Sequence, residues 1–248
     1  MTWSLQAGFP NCSSLDLFVM LRMILCIVVL ALSAAGAADD ARSAAQALEA
    51  RYQHARTFKA VFFERYSDGN GGVSAESGTV YFSRPGRMRW VYESPEQKLF
   101  IVDGKSVWFY VPADRTVSRA KLNESSDWRT PLALLAGKAN LSKLCRKIET
   151  ANIGSDFKSE PGAGPSPGGA LLRCIPRGDA GAPRDVLFET DSEAHLVRVI
   201  IREAGNSETE FRFGNWQENL VIPETEFHFE PPPGVAIVDE ESLAGAIH

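Results

Sequence analysis

Between Tyr81 and Tyr110 the chain gathers aromatic side chains into short extended runs, divided by Arg84-Pro85-Gly86, Ser94-Pro95 and Asp103-Gly104-Lys105. Proline and glycine at this spacing stop a helix and turn the chain every few residues, so the segment folds as strands or not at all. Strand alternation puts Met88, Trp90 and Tyr92 on one face. Leu99–Val102 then pairs with Ser106–Val111 across an Asp-Gly turn of the kind tight hairpins use. So many large apolar side chains on curling antiparallel strands make either a packed barrel core or a concave surface that holds something greasy. Periodicity alone leaves both readings open.

The segments on either side extend the pattern. Asp39 or Asp40 caps a predicted helix in which Ala44, Ala45, Leu48, Tyr52 and Ala55 recur on one face, with Arg42, Gln46, Glu49 and Gln53 on the other. Thr57–Tyr66 reads as a strand and Asp68–Gly72 as its turn. Glu76–Ser83 follows, with Val80 and Phe82 facing one way and Tyr81 the other, and Val117–Leu122 adds a further strand. Thr130-Pro131 is a helix-start signal, and Leu132, Leu134, Leu135 and Leu141 make that helix apolar. Strands resume at Leu144–Ile148, Ala170–Ile175, Asp185–Glu189, Leu196–Arg202 and Glu208–Trp216, and Phe227–Val235 reads as a last strand ended by prolines. Residues 154–169 are rich in Gly, Pro and Ser and read as a surface loop. About ten strands on either side of one short helix predict a mainly β (α+β) fold. Its form is a strongly curved sheet or incomplete antiparallel β-barrel, with the two helices lying over the concave face.

The N-terminus reads as an export signal. Arg22 precedes the apolar run Met23–Leu32, and Ala35-Gly36-Ala37 is a cleavage pattern. Residues 1–37 form this region, with Met20 and Met23 as alternative starts, and 38–248 form a single domain. Cys26 lies inside the apolar run rather than at its end, which argues against a lipid anchor. Removing residues 1–37 takes one Asp and one Arg, so the net charge stays at −5. That balance lacks the basic footprint nucleic acid requires. Cys145 and Cys174 remain; in an oxidising compartment they pair if their strands are neighbours, and otherwise stay as buried thiols.

Catalytic and metal signals are missing. The four histidines, His54, His195, His228 and His248, have no metal-ligand spacing, and no P-loop or G-x-S-x-G elbow occurs. The reading is of a non-enzyme without metal or cofactor. Arg84, Arg87 and Arg89 cluster at a turn: this is either a solvated hairpin tip or a place where one guanidinium reaches helix carbonyls.

Five fragments, in order, carry a resemblance: Phe58-x-Ala-x-Phe62 after a helix; Arg84-Pro85 followed by Met88-x-Trp90; Val102–Tyr110; Thr130-Pro131-Leu132; and Phe227-x-Phe-x-Pro-Pro-x-Gly-Val235. Together they resemble the periplasmic carriers of outer-membrane lipoproteins, the LolA family, over nearly all of the chain beyond residue 37. The resemblance implies an incomplete barrel lidded by helices, enclosing a hydrophobic cavity for acyl chains. It implies acylated lipoproteins as cargo, an inner-membrane ABC exporter that loads them and an outer-membrane receptor that accepts them. The export signal makes the chain a soluble periplasmic protein after its removal, and a transient carrier is most simply a monomer. Phe62, Val80, Phe82, Met88, Trp90, Phe100, Trp108, Leu132, Leu134 and Leu135 are the expected acyl-chain residues, and Arg84 the expected latch to the lid. A receptor-like or other lipid-binding or sensor module of the same fold is the alternative. The long 154–169 loop and the Cys145/Cys174 pair depart from the family pattern.

Overall fold

A meander of six strands opens the sheet: β1 (Thr57–Ser67), β2 (Val73–Ser83), β3 (Arg87–Ser94), β4 (Lys98–Val102), β5 (Ser106–Val111) and β6 (Thr116–Lys121). A second run, β7 (Cys145–Thr150), β8 (Leu171–Pro176), β9 (Asp185–Thr190), β10 (Leu196–Arg202) and β11 (Glu208–Glu218), leads back so that β11 pairs with β1. The computed structural model describes residues 40–122, 140–152, 154, 166–177, 182–203 and 205–240. The N-terminal signal region, the Thr130 helix and most of the 154–169 loop lie outside them.

The twelve strands form one sheet in the order β12-β6-β5-β4-β3-β2-β1-β11-β10-β9-β8-β7. Its two ends do not pair with each other, so among the described residues the barrel is incomplete. Every pairing is antiparallel except the last, where β12 (Ala236–Glu240) runs parallel to β6. This corrects the expected final strand. Phe227–Val235 is not a strand: Glu224–Phe227 forms a 3-10 turn, the prolines follow, and the chain regains extended pairing only at Ala236. Pro231, Pro232 and Pro233 have no N–H to give a ladder, so the strand begins beyond them.

Curvature shows in the aromatic rings. On a flat sheet β3 and β11, three strand spacings apart, would be separated by about 14 Å. Yet the Trp90 ring lies 5.5 Å from Phe211 and 6.1 Å from Phe213. The sheet therefore curls until side chains from non-adjacent strands meet. Ala41–His248 forms one compact unit.

Helix α1 (residues 40–54) buries Ala41, Ala45, Leu48 and Tyr52, the four-three-four spacing of a one-sided helix. Tyr52 packs on Phe58 at 5.0 Å and on Trp216 at 5.6 Å, and its hydroxyl accepts the Leu196 N–H at 2.9 Å. Burial drives the Tyr52 hydroxyl well above the ordinary phenol range, so it stays a neutral hydrogen-bonding group. Arg51 pairs with Glu218 at 2.8 Å, which holds the end of α1 on β11. Leu141, expected in the helix from Thr130, follows an extended Asn140. It opens a helical turn of its own, α2 (Leu141–Leu144), capped by the Asn140 side chain accepting the Lys143 N–H.

Candidate functional site

The inner face of the sheet is one continuous apolar surface. In the first meander it carries Phe58, Ala60 and Phe62 from β1, Val80 and Phe82 from β2, and Met88 and Trp90 from β3. Phe100 and Val102 of β4 and Val107 and Phe109 of β5 continue it. Trp90 stands at the centre. Its ring lies 4.8 Å from Phe62 and 6.0 Å from Phe82, both edge-on, in addition to its contacts with β11. Edge-to-face packing of this kind stabilises each ring pair by about 0.5–1.5 kcal/mol beyond the area it buries. The structure thus brings Phe62, Val80, Phe82, Met88, Trp90 and Phe100 onto one face.

Trp108 is not on that face. It belongs to a separate outer cluster with Ile101, Val117 and Phe229, its ring 5.6 Å from Phe229. The reason is parity: Val102 pairs with Val107 and Ile101 with Trp108, and cross-strand partners share a face. Val107 and Phe109 take the inward positions instead. The signal was available in the four residues between the paired Val102 and Val107, but both faces of β5 are apolar and hydrophobicity alone does not choose between them. Leu132, Leu134 and Leu135 lie outside the described residues.

A polar band closes one end of the inner face. Glu64 is 3% exposed and accepts the Tyr92 hydroxyl at 2.9 Å. Glu76, opposite Glu64, pairs with Lys98, opposite Tyr92, at 2.5 Å. These four groups satisfy one another where the β1–β2 hairpin begins. Gly78 opens the ladder beside them: a Cβ there would sit 1.9 Å from the Val91 carbonyl oxygen, so the bulge accepts only glycine. Sequence reasoning missed this band because isolated Glu, Tyr and Lys residues on separate strands share no local motif.

The opposite end holds the arginine cluster, and its members part company. Arg87 pairs with Glu224 at 3.0 Å and Arg89 donates to the Glu226 carbonyl at 2.9 Å, so both hold the C-terminal 3-10 turn to the sheet. The Arg84 backbone N–H donates to the Arg56 carbonyl, but its half-buried guanidinium Nε finds no hydrogen-bond partner among the described residues. Burial lowers its pKa from the ordinary arginine value. At the adjoining turn, Asp103 accepts the Lys105 and Ser106 N–H groups and the Trp108 indole N–H. Burial pushes its carboxyl upward, but these donors together bring it below the ordinary aspartate value.

The second run lines the same interior with Leu172, Val186, Phe188, Leu196, Val199 and Ile201. Cys145 and Cys174 form a disulfide there, Cα to Cα 5.4 Å, joining neighbouring strands β7 and β8. On the outer side, buried Arg198 reaches Glu189 at 2.8 Å and Glu210 at 3.6 Å, and Ser166 of the long loop donates its N–H to Glu189. Among the described residues no group of three or more His, Cys, Asp or Glu side chains is placed to hold a metal ion. No described helix is long and apolar enough to cross a membrane.

An incomplete barrel with one apolar inner wall, and an arginine at its rim whose Nε has no partner among the described residues, is matched at the level of sequence. The family model for the outer membrane lipoprotein carrier protein LolA covers residues 53–230. The chain belongs to the LolA family. Among its relatives in that family, an outer-membrane lipoprotein carrier protein of Nitrosospira multiformis is 29% identical over 194 residues, 78% of this chain and 87% of the relative. Another from Bordetella avium is 32% identical over 166 residues, 66% of this chain and 71% of the relative. A solved LolA-superfamily protein from Nitrosomonas europaea is 11% identical with a TM-score of 0.42, covering 76% of this chain and 97% of that one.

Proposed function

We propose that this protein is a periplasmic carrier that binds the acyl chains of lipoproteins against its inner face and ferries them between membranes. An inner-membrane ABC exporter loads it and an outer-membrane receptor relieves it, after removal of residues 1–37. The observation that carries the reading is the unbroken apolar inner wall, from Phe82 and Trp90 across β1 to Val199 and Val186, in a chain of the LolA family. It is a carrier and not a catalyst.

Energetics set what such a carrier must do. Three acyl chains hold about 40 methylenes, and exposing them at roughly 0.8 kcal/mol each would cost about 30 kcal/mol. The protein therefore has to shield almost all of them. The Trp90 ring packs against both Phe62 and Phe82, so cargo enters by parting them and replaces ring contacts with chain contacts. Exchange of one apolar contact for another leaves a small net free energy, and a few kcal/mol then decide between the closed and loaded states.

Arg84 is the proposed latch, tying the rim to the Thr130 helix that bears Leu132, Leu134 and Leu135. A guanidinium has five donors in a fixed fork and suits a set of carbonyls; support comes from its half-buried, partnerless Nε. The test is transfer of a radiolabelled tri-acylated lipoprotein from inner-membrane vesicles to the purified carrier, then to outer-membrane vesicles. The wild-type protein is expected to complete both steps. Arg84→Leu is expected to load but release several-fold more slowly. Failure of the wild-type protein to extract lipoprotein would sink the carrier reading, and wild-type release by Arg84→Leu would sink the latch alone.

A further inference from the structure

Three tryptophans are described, and their indole N–H groups fare differently. Trp108 donates to Asp103 at 3.0 Å, and Trp216 donates to the Leu196 carbonyl at 2.9 Å. Trp90 is 2% exposed, yet its indole nitrogen is buried with no acceptor among the described residues. The next inward residue of the same strand, Tyr92, has its hydroxyl bonded to Glu64. The unmatched Arg84 Nε lies at the rim, whereas the unmatched Trp90 donor stands in the middle of the apolar wall.

A buried donor without an acceptor is unfavourable, because it has given up water and gained nothing in exchange. Substituting a phenylalanine-like ring would remove that penalty at once, so a tryptophan here asks for an acceptor that arrives from outside. We propose that the Trp90 indole N–H donates to the carbonyl oxygen at the head of a bound acyl chain, in its ester linkage. This rests on the carrier reading above and sharpens it. The only hydrogen-bond acceptors that travel with acyl chains into an apolar site are those linkage oxygens. One donor at the centre then anchors the head of a chain at the level of Trp90. The tail runs away from the polar band of Glu64, Tyr92, Glu76 and Lys98, whose groups satisfy each other and offer methylenes nothing. The site would read linkage chemistry as well as chain length.

The experiment compares two S-glyceryl lipopeptides with the same chain lengths, one with ester-linked acyl chains and one with ether-linked alkyl chains, in displacement of a fluorescent fatty-acid probe. Ether and ester differ intrinsically in hydrophobicity, so the quantity read is how the ester-to-ether affinity ratio changes from wild type to Trp90→Phe. A net hydrogen bond of about 0.5–1.5 kcal/mol corresponds to a ratio roughly two- to tenfold lower in the variant. In the wild-type protein, the Trp90 indole proton resonance, assigned from its through-space contacts with the Phe62 and Phe82 rings, is expected to move downfield with the ester ligand and not with the ether. This second readout stands even if the variant folds poorly. An unchanged ratio with an unmoved indole proton overturns the hydrogen bond and leaves the carrier reading intact, as would a donor satisfied by the face of the Phe62 ring. Binding of neither lipopeptide by the wild-type protein overturns the carrier reading and this inference with it.

Discussion

The two halves of the sheet line one interior with different materials. The first meander, β1 to β5, offers large rings: Phe62, Phe82, Trp90, Phe100 and Phe109. The second, β8 to β11, offers mostly branched aliphatics, with Phe188, Phe211 and Phe213 among them, and backs them with a disulfide and buried ion pairs. Rings in edge contact can slide and re-pair at modest cost. A strand whose outer face carries Arg198 between two buried carboxylates cannot shift without stranding charge. The comparison teaches a difference in build: one wall is made of rings that can re-pair, and the other is pinned by buried charge and a disulfide.

Breaking the pinned wall is expected to have the largest effect. Arg198→Met leaves Glu189 buried without its counter-charge, while Glu210 keeps Arg212 at 2.7 Å, and a loss of about 3–5 kcal/mol in unfolding free energy is expected by urea denaturation. A loss under 1 kcal/mol would mean the network is solvated and the two walls are alike. Removing the disulfide through Cys145→Ala with Cys174→Ala should follow. The bridged residues are 29 apart in sequence, and releasing a loop of that size destabilises by about 3 kcal/mol in the chain-entropy model. The denaturation midpoint should fall, with lipopeptide affinity of the folded protein unchanged.

Phe62→Leu against Phe188→Leu puts the comparison directly. Each is expected to lower stability by about 1–2 kcal/mol through lost packing. Only Phe62→Leu should also weaken lipopeptide binding in the probe-displacement assay; equal effects on binding would erase the distinction between the walls. The smallest expected effect concerns the outer face. Asp103 is held below its ordinary pKa in the folded protein, so its ionised form is favoured by folding. Its contribution is complete above the unfolded carboxylate value of about 3.9 and is lost as pH falls through the lower folded value. Asp103→Asn should flatten that acid limb in a stability-versus-pH series while leaving cargo binding intact. An unaltered limb would show that the Asp103 turn does not couple to folding.

Much of the ring-built wall was legible in the chain. Alternation alone put Val80 with Phe82, and Met88 with Trp90 and Tyr92, because one face of each strand is apolar and the other carries Arg, Ser or Thr. Helix α1 was equally plain from its one-sided spacing. Trp108 was misplaced because its strand is apolar on both faces, and the register across Asp103–Ser106 decides which residue turns inward. Phe227–Val235 resembled a strand in composition, but its phenylalanines serve as single plugs, Phe229 beneath Trp108 and Tyr110, rather than as one face of a ladder. The cysteines could be read as paired or free, and their union depended on β7 and β8 being neighbours.

Local chemistry by itself determined that this chain forms aromatic antiparallel strands with a one-sided helix, since alternation, turn residues and helical spacing act over a few positions. Only the tertiary structure decided that β11 closes onto β1, and that the Arg84 Nε and the Trp90 indole N–H lie buried without an acceptor among the described residues. Those facts depend on which distant segments the curled sheet brings within reach, and such contacts are set by the balance of packing over the whole interior.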